Sequence, residues 1–82
     1  MLATDKQISY LNSLTKKVNY IYSVFPECGI SEENALFYKG VNWNHERSKG
    51  MTTLDASLKI SAFKDLIMWI NTKRVLMNKP QF

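Results

Sequence analysis

The chain has one cysteine, one histidine, two prolines and three glycines in 82 residues, and each scarcity removes a class of protein. A lone Cys28 excludes an internal disulfide and a cysteine-rich zinc site, so it reads as a reduced thiol and the protein as cytoplasmic. A lone His45, in Asn42-Trp43-Asn44-His45-Glu46-Arg47, supplies only half of the H-E-x-x-H zinc motif, because Lys49 stands where the second histidine belongs. Gly29, Gly40 and Gly50 are isolated and form no phosphate-cradling loop. No apolar run approaches the roughly 18 residues of a membrane span. The opening Met1-Leu2-Ala3-Thr4-Asp5 lacks a basic region followed by an apolar stretch, so no secretory leader is expected. A Cys28–His45 nucleophile pair has no recognisable third group or oxyanion loop. The expectation is a non-enzyme with no cofactor and no metal.

The residues that are present suit a small packed domain. An apolar fraction of 45% with 12% aromatics is ordinary for a globular chain and too high for a disordered one. The length fits one domain with a small core. The net charge of +4 is unevenly spread. Residues 1–58 hold six basic and six acidic side chains, whereas residues 59–82 hold Lys59, Lys64, Lys73, Arg74 and Lys79 against Asp65 alone. That asymmetry favours an anionic partner, although basic residues also collect near helix C-termini because of the dipole.

Two capping sequences set the helices. Thr4-Asp5-Lys6-Gln7 opens an amphipathic stretch from Asp5 to Val24, in which Ile8, Leu11, Leu14, Thr15, Val18 and Ile21 recur at helical spacing and Pro26 sets the end. Thr52-Thr53-Leu54-Asp55 opens the last helix, the longest, which is bounded by Pro80. On its wheel Ala62, Phe63, Leu66, Ile67, Trp69 and Ile70 share one half, with a possible break at Asn71-Thr72. Between the two, Ser31-Glu32-Glu33 reads as the start of a short helix carrying Ala35, Leu36 and Phe37, and Val41 to Gly50 reads as a loop rich in turn formers. The fold expected is all-α: two long amphipathic helices closed by a short helix and an irregular loop.

The capping segments also carry a resemblance. Thr4-x-x-Gln7-x-x-Tyr10-Leu11-x-x-Leu14 resembles the T-x-x-Q-x-x-Y-L-x-x-L opening of a small helical domain of unknown function found in phage, plasmid and actinobacterial proteins. Met51-Thr52-Thr53-Leu54-Asp55-Ala56-Ser57-Leu58-Lys59-Ile60 resembles that domain's L-T-x-x-E-A-S-x-x-I segment, with Met51 in place of Leu and Asp55 in place of Glu. The likeness covers residues 4–14 and 51–60 and leaves out the central loop, which is longer here than in the family. It implies a mobile-element setting, often beside replication or recombination genes, and brings no catalytic residues.

Two binding readings follow. Basic residues interleaved with aromatics suit nucleic acid, where cations meet phosphates and rings stack on bases. This points to Trp43, Arg47 and Lys49 in the loop and to Lys73, Arg74 and Lys79 near the C-terminus, on a phage or mobile-element accessory protein that binds nucleic acid or a nucleoprotein enzyme. The alternative is a protein-binding inhibitor or regulator of a host or defence enzyme, anti-CRISPR-like in kind, or a self-associating module. It draws on the supply of Tyr and Trp and on a possible apolar patch of Met68, Val75, Leu76 and Met77.

Overall fold

The computed structural model describes residues 1–31 and 40–82. Among these residues the fold is all-α: α1 (Asp5–Val24), a 3-10 turn (Pro26–Cys28), α2 (Trp43–Ser48) and α3 (Thr53–Leu76). The short helix expected after Ser31 falls on residues 32–39, outside the described residues.

Helix α1 begins at the capping box the sequence spells. The Gln7 N–H donates to Thr4 Oγ1 at 3.1 Å and the Thr4 N–H to Gln7 Oε1 at 3.0 Å, so two otherwise unpaired donors are satisfied. Its buried residues are the expected stripe, Ile8, Leu11, Leu14, Thr15, Val18 and Ile21. Helix α3 opens with the same device from Thr52 and Asp55. The two openings lie side by side, because Gln7 Nε2 also donates to the Thr53 carbonyl at 3.1 Å and to Ser57 Oγ at 3.2 Å. Met1 to Ala3 complete this end: the Ala3 N–H donates to the Met51 carbonyl and the Thr53 N–H to the Met1 carbonyl. At the other end Ile21 and Cys28 pack with Ile70. The long helices therefore run parallel, and residues between them must carry the chain back to the first end.

Helix α2 helps close that return and replaces the loop read from sequence. The Asn42 side chain accepts from the His45 N–H, and Gly50, at φ 113°, ends the helix. There the Met51 N–H donates to the Glu46 carbonyl and the Gly50 N–H to the Arg47 carbonyl, the Schellman arrangement that left-handed glycine permits. Residues read as turn formers are thus the two caps of a six-residue helix. Its Trp43 enters the main core with Leu11, Leu14, Val18, Phe63 and Ile67.

Helix α3 departs from the wheel in two ways. It runs unbroken through Asn71-Thr72 to Leu76, with the Thr72 hydroxyl donating to the Met68 carbonyl one turn back. Its buried face is Ala56, Phe63, Ile67, Ile70 and Arg74, whereas Ala62 and Trp69, placed inward by the wheel, are exposed. The reason is a second apolar face. Leu54, Leu58, Met68, Trp69, Val75 and Leu76 are all exposed, so apolar residues occupy both sides of the helix and blur its period.

Candidate docking surface

The six residues marked by the sequence do not assemble into a basic, aromatic surface. Trp43 is 2% exposed and its Nε1–H donates to Thr15 Oγ1 at 2.8 Å, with its ring edge-on to Phe63. Both the face and the polar edge that stacking on a base would need are taken up inside. Arg74 is 8% exposed. Its guanidinium lies between the rings of Phe25 and Phe82, 5.0 and 4.4 Å from their centroids, and its Nε–H donates to the Pro80 carbonyl. Its Nη1 stands 4.0 Å from Cys28 Sγ. A buried cation with no carboxylate partner among the described residues persists here because carbonyl, rings and thiol replace its hydration.

The tail that supplies Pro80 and Phe82 is folded back by the end of α3. Asn78, at φ 60°, lets the Lys79 N–H reach the Arg74 carbonyl and the Asn78 N–H reach that of Val75, a second Schellman motif. Asn71 then clasps Phe82, accepting from its N–H at 2.8 Å and donating to its carbonyl at 3.3 Å.

Arg47 is also committed to the fold. It meets Asp5 at 2.7 Å and Asn44 at 3.1 Å, tying α2 to the start of α1. Lys73 lies 4.4 Å over the Trp69 ring and donates to the Cys28 carbonyl at 3.4 Å. Lys49 is exposed and stands 3.5 Å from Glu46, and Lys79 is exposed at the far end. Four of the six are engaged inside the fold, and the remaining two lie apart.

Other residues do come together. A cleft of about 500 Å³ runs between α1 and α3, lined by Tyr10, Leu14, Lys17, Lys64, Ile67, Met68, Asn71, Thr72, Val75, Leu76 and Gln81. Met68 is 63% and Leu76 82% exposed. A second hollow shares Tyr10, Leu14 and Lys17 with it and extends along α1 to Lys6, Ser9 and Ser13. Among the described residues neither lining contains a carboxylate. Lys64 Nζ sits 5.4 Å over the Tyr10 ring, so cation and aromatic share one rim. The exposed patch of Met68, Val75, Leu76 and Met77 was legible in the sequence. The α1 wall was not, because Tyr10 and Lys17 read as ordinary edge and surface residues of an amphipathic helix.

The titratable side chains offer little chemistry. Cys28 is buried in the cluster where the long helices end, whereas α2, carrying His45, is tied to Asp5 at the opposite end. Among the described residues no three His, Cys, Asp or Glu side chains gather into a metal-binding set, and no helix is long and apolar enough to cross a membrane. Among the described residues, a clear electrostatic shift belongs to a helix cap. The Thr52 backbone N–H and hydroxyl hold the Asp55 carboxyl below its ordinary value of 3.8, with Lys59 adding to the effect. Compared with known proteins, the chain matches no family model, no curated protein and no solved structure.

Proposed function

We propose that this is a non-catalytic binding protein that docks on a protein partner through the α1–α3 cleft and the outward face of α3. The observation that carries this reading is the second apolar face: Met68, Val75 and Leu76 stand exposed in the lining of a cleft whose floor is Leu14 and Ile67, and Leu54, Leu58 and Trp69 are exposed elsewhere along α3. Single exposed apolar residues are ordinary, but a contiguous apolar surface rimmed by polar groups is characteristic of an interaction site. Tyr10 and Trp69 supply the aromatic contacts that binding hot spots favour. The likeness of the capping segments to a phage and plasmid domain supports a mobile-element accessory protein, with a regulator or inhibitor of a host or defence enzyme as the form of action that fits a surface without a catalytic constellation.

The test is a selection of displayed peptides on the wild-type protein, counter-selected on a Met68→Glu, Leu76→Glu variant whose helical circular dichroism is first matched to wild type. Peptides that bind wild type and lose at least about tenfold on the variant support the reading, since two desolvated apolar anchors are worth that much or more. Peptides that bind both proteins equally would remove the surface from consideration.

A second reading, nucleic-acid binding, rests on the +4 charge and its concentration in residues 59–82. Lys64 and Lys79, exposed within that stretch, are its remaining contacts there. Anisotropy with labelled single- and double-stranded oligonucleotides at about 50 and about 200 mM salt decides it. Several phosphate contacts would give binding that falls by orders of magnitude between the two.

A further inference from the structure

We infer that the occupant of the α1–α3 cleft is an acidic amphipathic helix of a partner protein, an inference that rests on the docking reading above. Three observations select it.

The first is backbone chemistry. The walls are two α-helices, whose backbone N–H and C=O groups are paired within the helices. An extended peptide would find no strand edge to bond and would bury unsatisfied backbone groups. An incoming segment must satisfy its own backbone, and a helix does so. The α3 wall from Lys64 to Leu76 is long enough for a helix of roughly 12 residues at about 1.5 Å per residue.

The second is the division of the lining. Leu14, Ile67, Met68 and Val75 offer an apolar trough, while two polar side chains in it, Thr72 and Asn71, are occupied within the fold, the Thr72 hydroxyl on Met68 and the Asn71 amide on Phe82. Apolar knobs at i, i+3, i+4 and i+7 therefore account for the contact.

The third is charge. Lys17 and Lys64 stand in the lining and Lys6 beside it, with no carboxylate among the described residues of either hollow; Asp65, exposed on α3, lines neither. Glutamates flanking the partner's apolar stripe would meet these lysines. A second copy of this chain would instead bring lysines against lysines, with no acidic rim to answer them. A phosphate backbone would leave the trough unfilled.

The experiment uses two labelled helical peptides of about 14 residues with the same leucine face, one flanked by glutamates and one by lysines. Each is titrated into the full chain by fluorescence anisotropy at about 50 mM salt. The glutamate peptide is expected to bind saturably and at least about fivefold more tightly than its lysine counterpart, the scale of two exposed ion pairs gained against two repulsions. A Lys17→Glu, Lys64→Glu variant, both positions being exposed, should reverse that order while retaining wild-type circular dichroism.

Equal binding of the two peptides, unchanged in the variant, overturns the acidic partner and leaves the docking surface standing. Failure of both peptides overturns the two together. Displacement of the glutamate peptide by a 16-nucleotide single strand, or a sedimenting dimer that excludes it, would assign the cleft to nucleic acid or to a second copy and overturn the inference.

Discussion

Trp43 illustrates how one side chain is divided between packing and polarity. Its ring fills the space between α1 and α3, and its single donor is answered by Thr15, a hydroxyl on the otherwise apolar stripe of α1. A buried indole N–H left without an acceptor costs about 1–3 kcal/mol. Thr15→Val keeps the shape and removes the acceptor, so it is expected to lower the thermal midpoint by roughly 5–15 °C for a domain of this size. The emission of Trp43, isolated by Trp69→Phe, should remain blue-shifted in that variant. An unchanged midpoint would show that the hydrogen bond contributes nothing. Arg74 makes the same point in reverse. Composition counts it as a surface cation, yet its spacing from Ile67 and Ile70 places it on the buried face, and that spacing was the sign available in the sequence. What the sequence did not hold was the acceptor: Pro80 and Phe82 reach Arg74 only because Asn78 reverses the chain.

At the scale of elements, the parallel α1 and α3 place two positive dipole ends together, and each opening carries an acid in its first turn, Asp5 and Asp55. Asp55 is held below its ordinary value by the Thr52 backbone N–H and hydroxyl. Its contribution to stability is therefore complete above the ordinary carboxylate range and is lost as pH falls through the depressed value. Asp55→Asn should flatten the acid side of a plot of thermal midpoint against pH relative to wild type, with little difference in slope at neutral pH. Parallel curves throughout would assign the acid sensitivity to other carboxylates. Thr52→Ala removes the reciprocal half of the box and should cost about 1 kcal/mol at neutral pH. These caps and the α1 stripe were legible because each is a local pattern that tertiary contacts reinforce. Helix α2 was not. At six residues it is too short to show a period, and Asn42 and Gly50 cap a helix with the same chemistry that forms turns. The candidate surface was half legible: the apolar end of α3 could be read, but its pairing with Tyr10 and Lys17 depends on how the two helices are set against each other.

The whole molecule is elongated, 43 × 19 × 16 Å, and among the described residues its core falls into two clusters. The larger is centred on Trp43 and Phe63, and the smaller is built on Ile21, Cys28 and Ile70 where the long helices end. Leu66, like Ile30, touches both clusters, so on α3 it is a position through which the two halves of the core share a fate. Met68 is only two residues away but lies on the opposite, exposed face. The same substitution at both sites measures that difference directly. Leu66→Asp puts a carboxylate where neither cluster offers it a partner, and a loss of about 3–5 kcal/mol is a large share of what a small domain possesses. The expected result is loss of the cooperative thermal transition or a midpoint lowered by more than about 15 °C. Met68→Asp should stay within about 0.5 kcal/mol of wild type, the usual range for an exposed site, while abolishing capture of the glutamate-flanked peptide. Equal damage from the two would mean that α3 has no free face. A mild Leu66→Asp with a damaging Met68→Asp would mean that the helix is rotated and that its outward residues are the core.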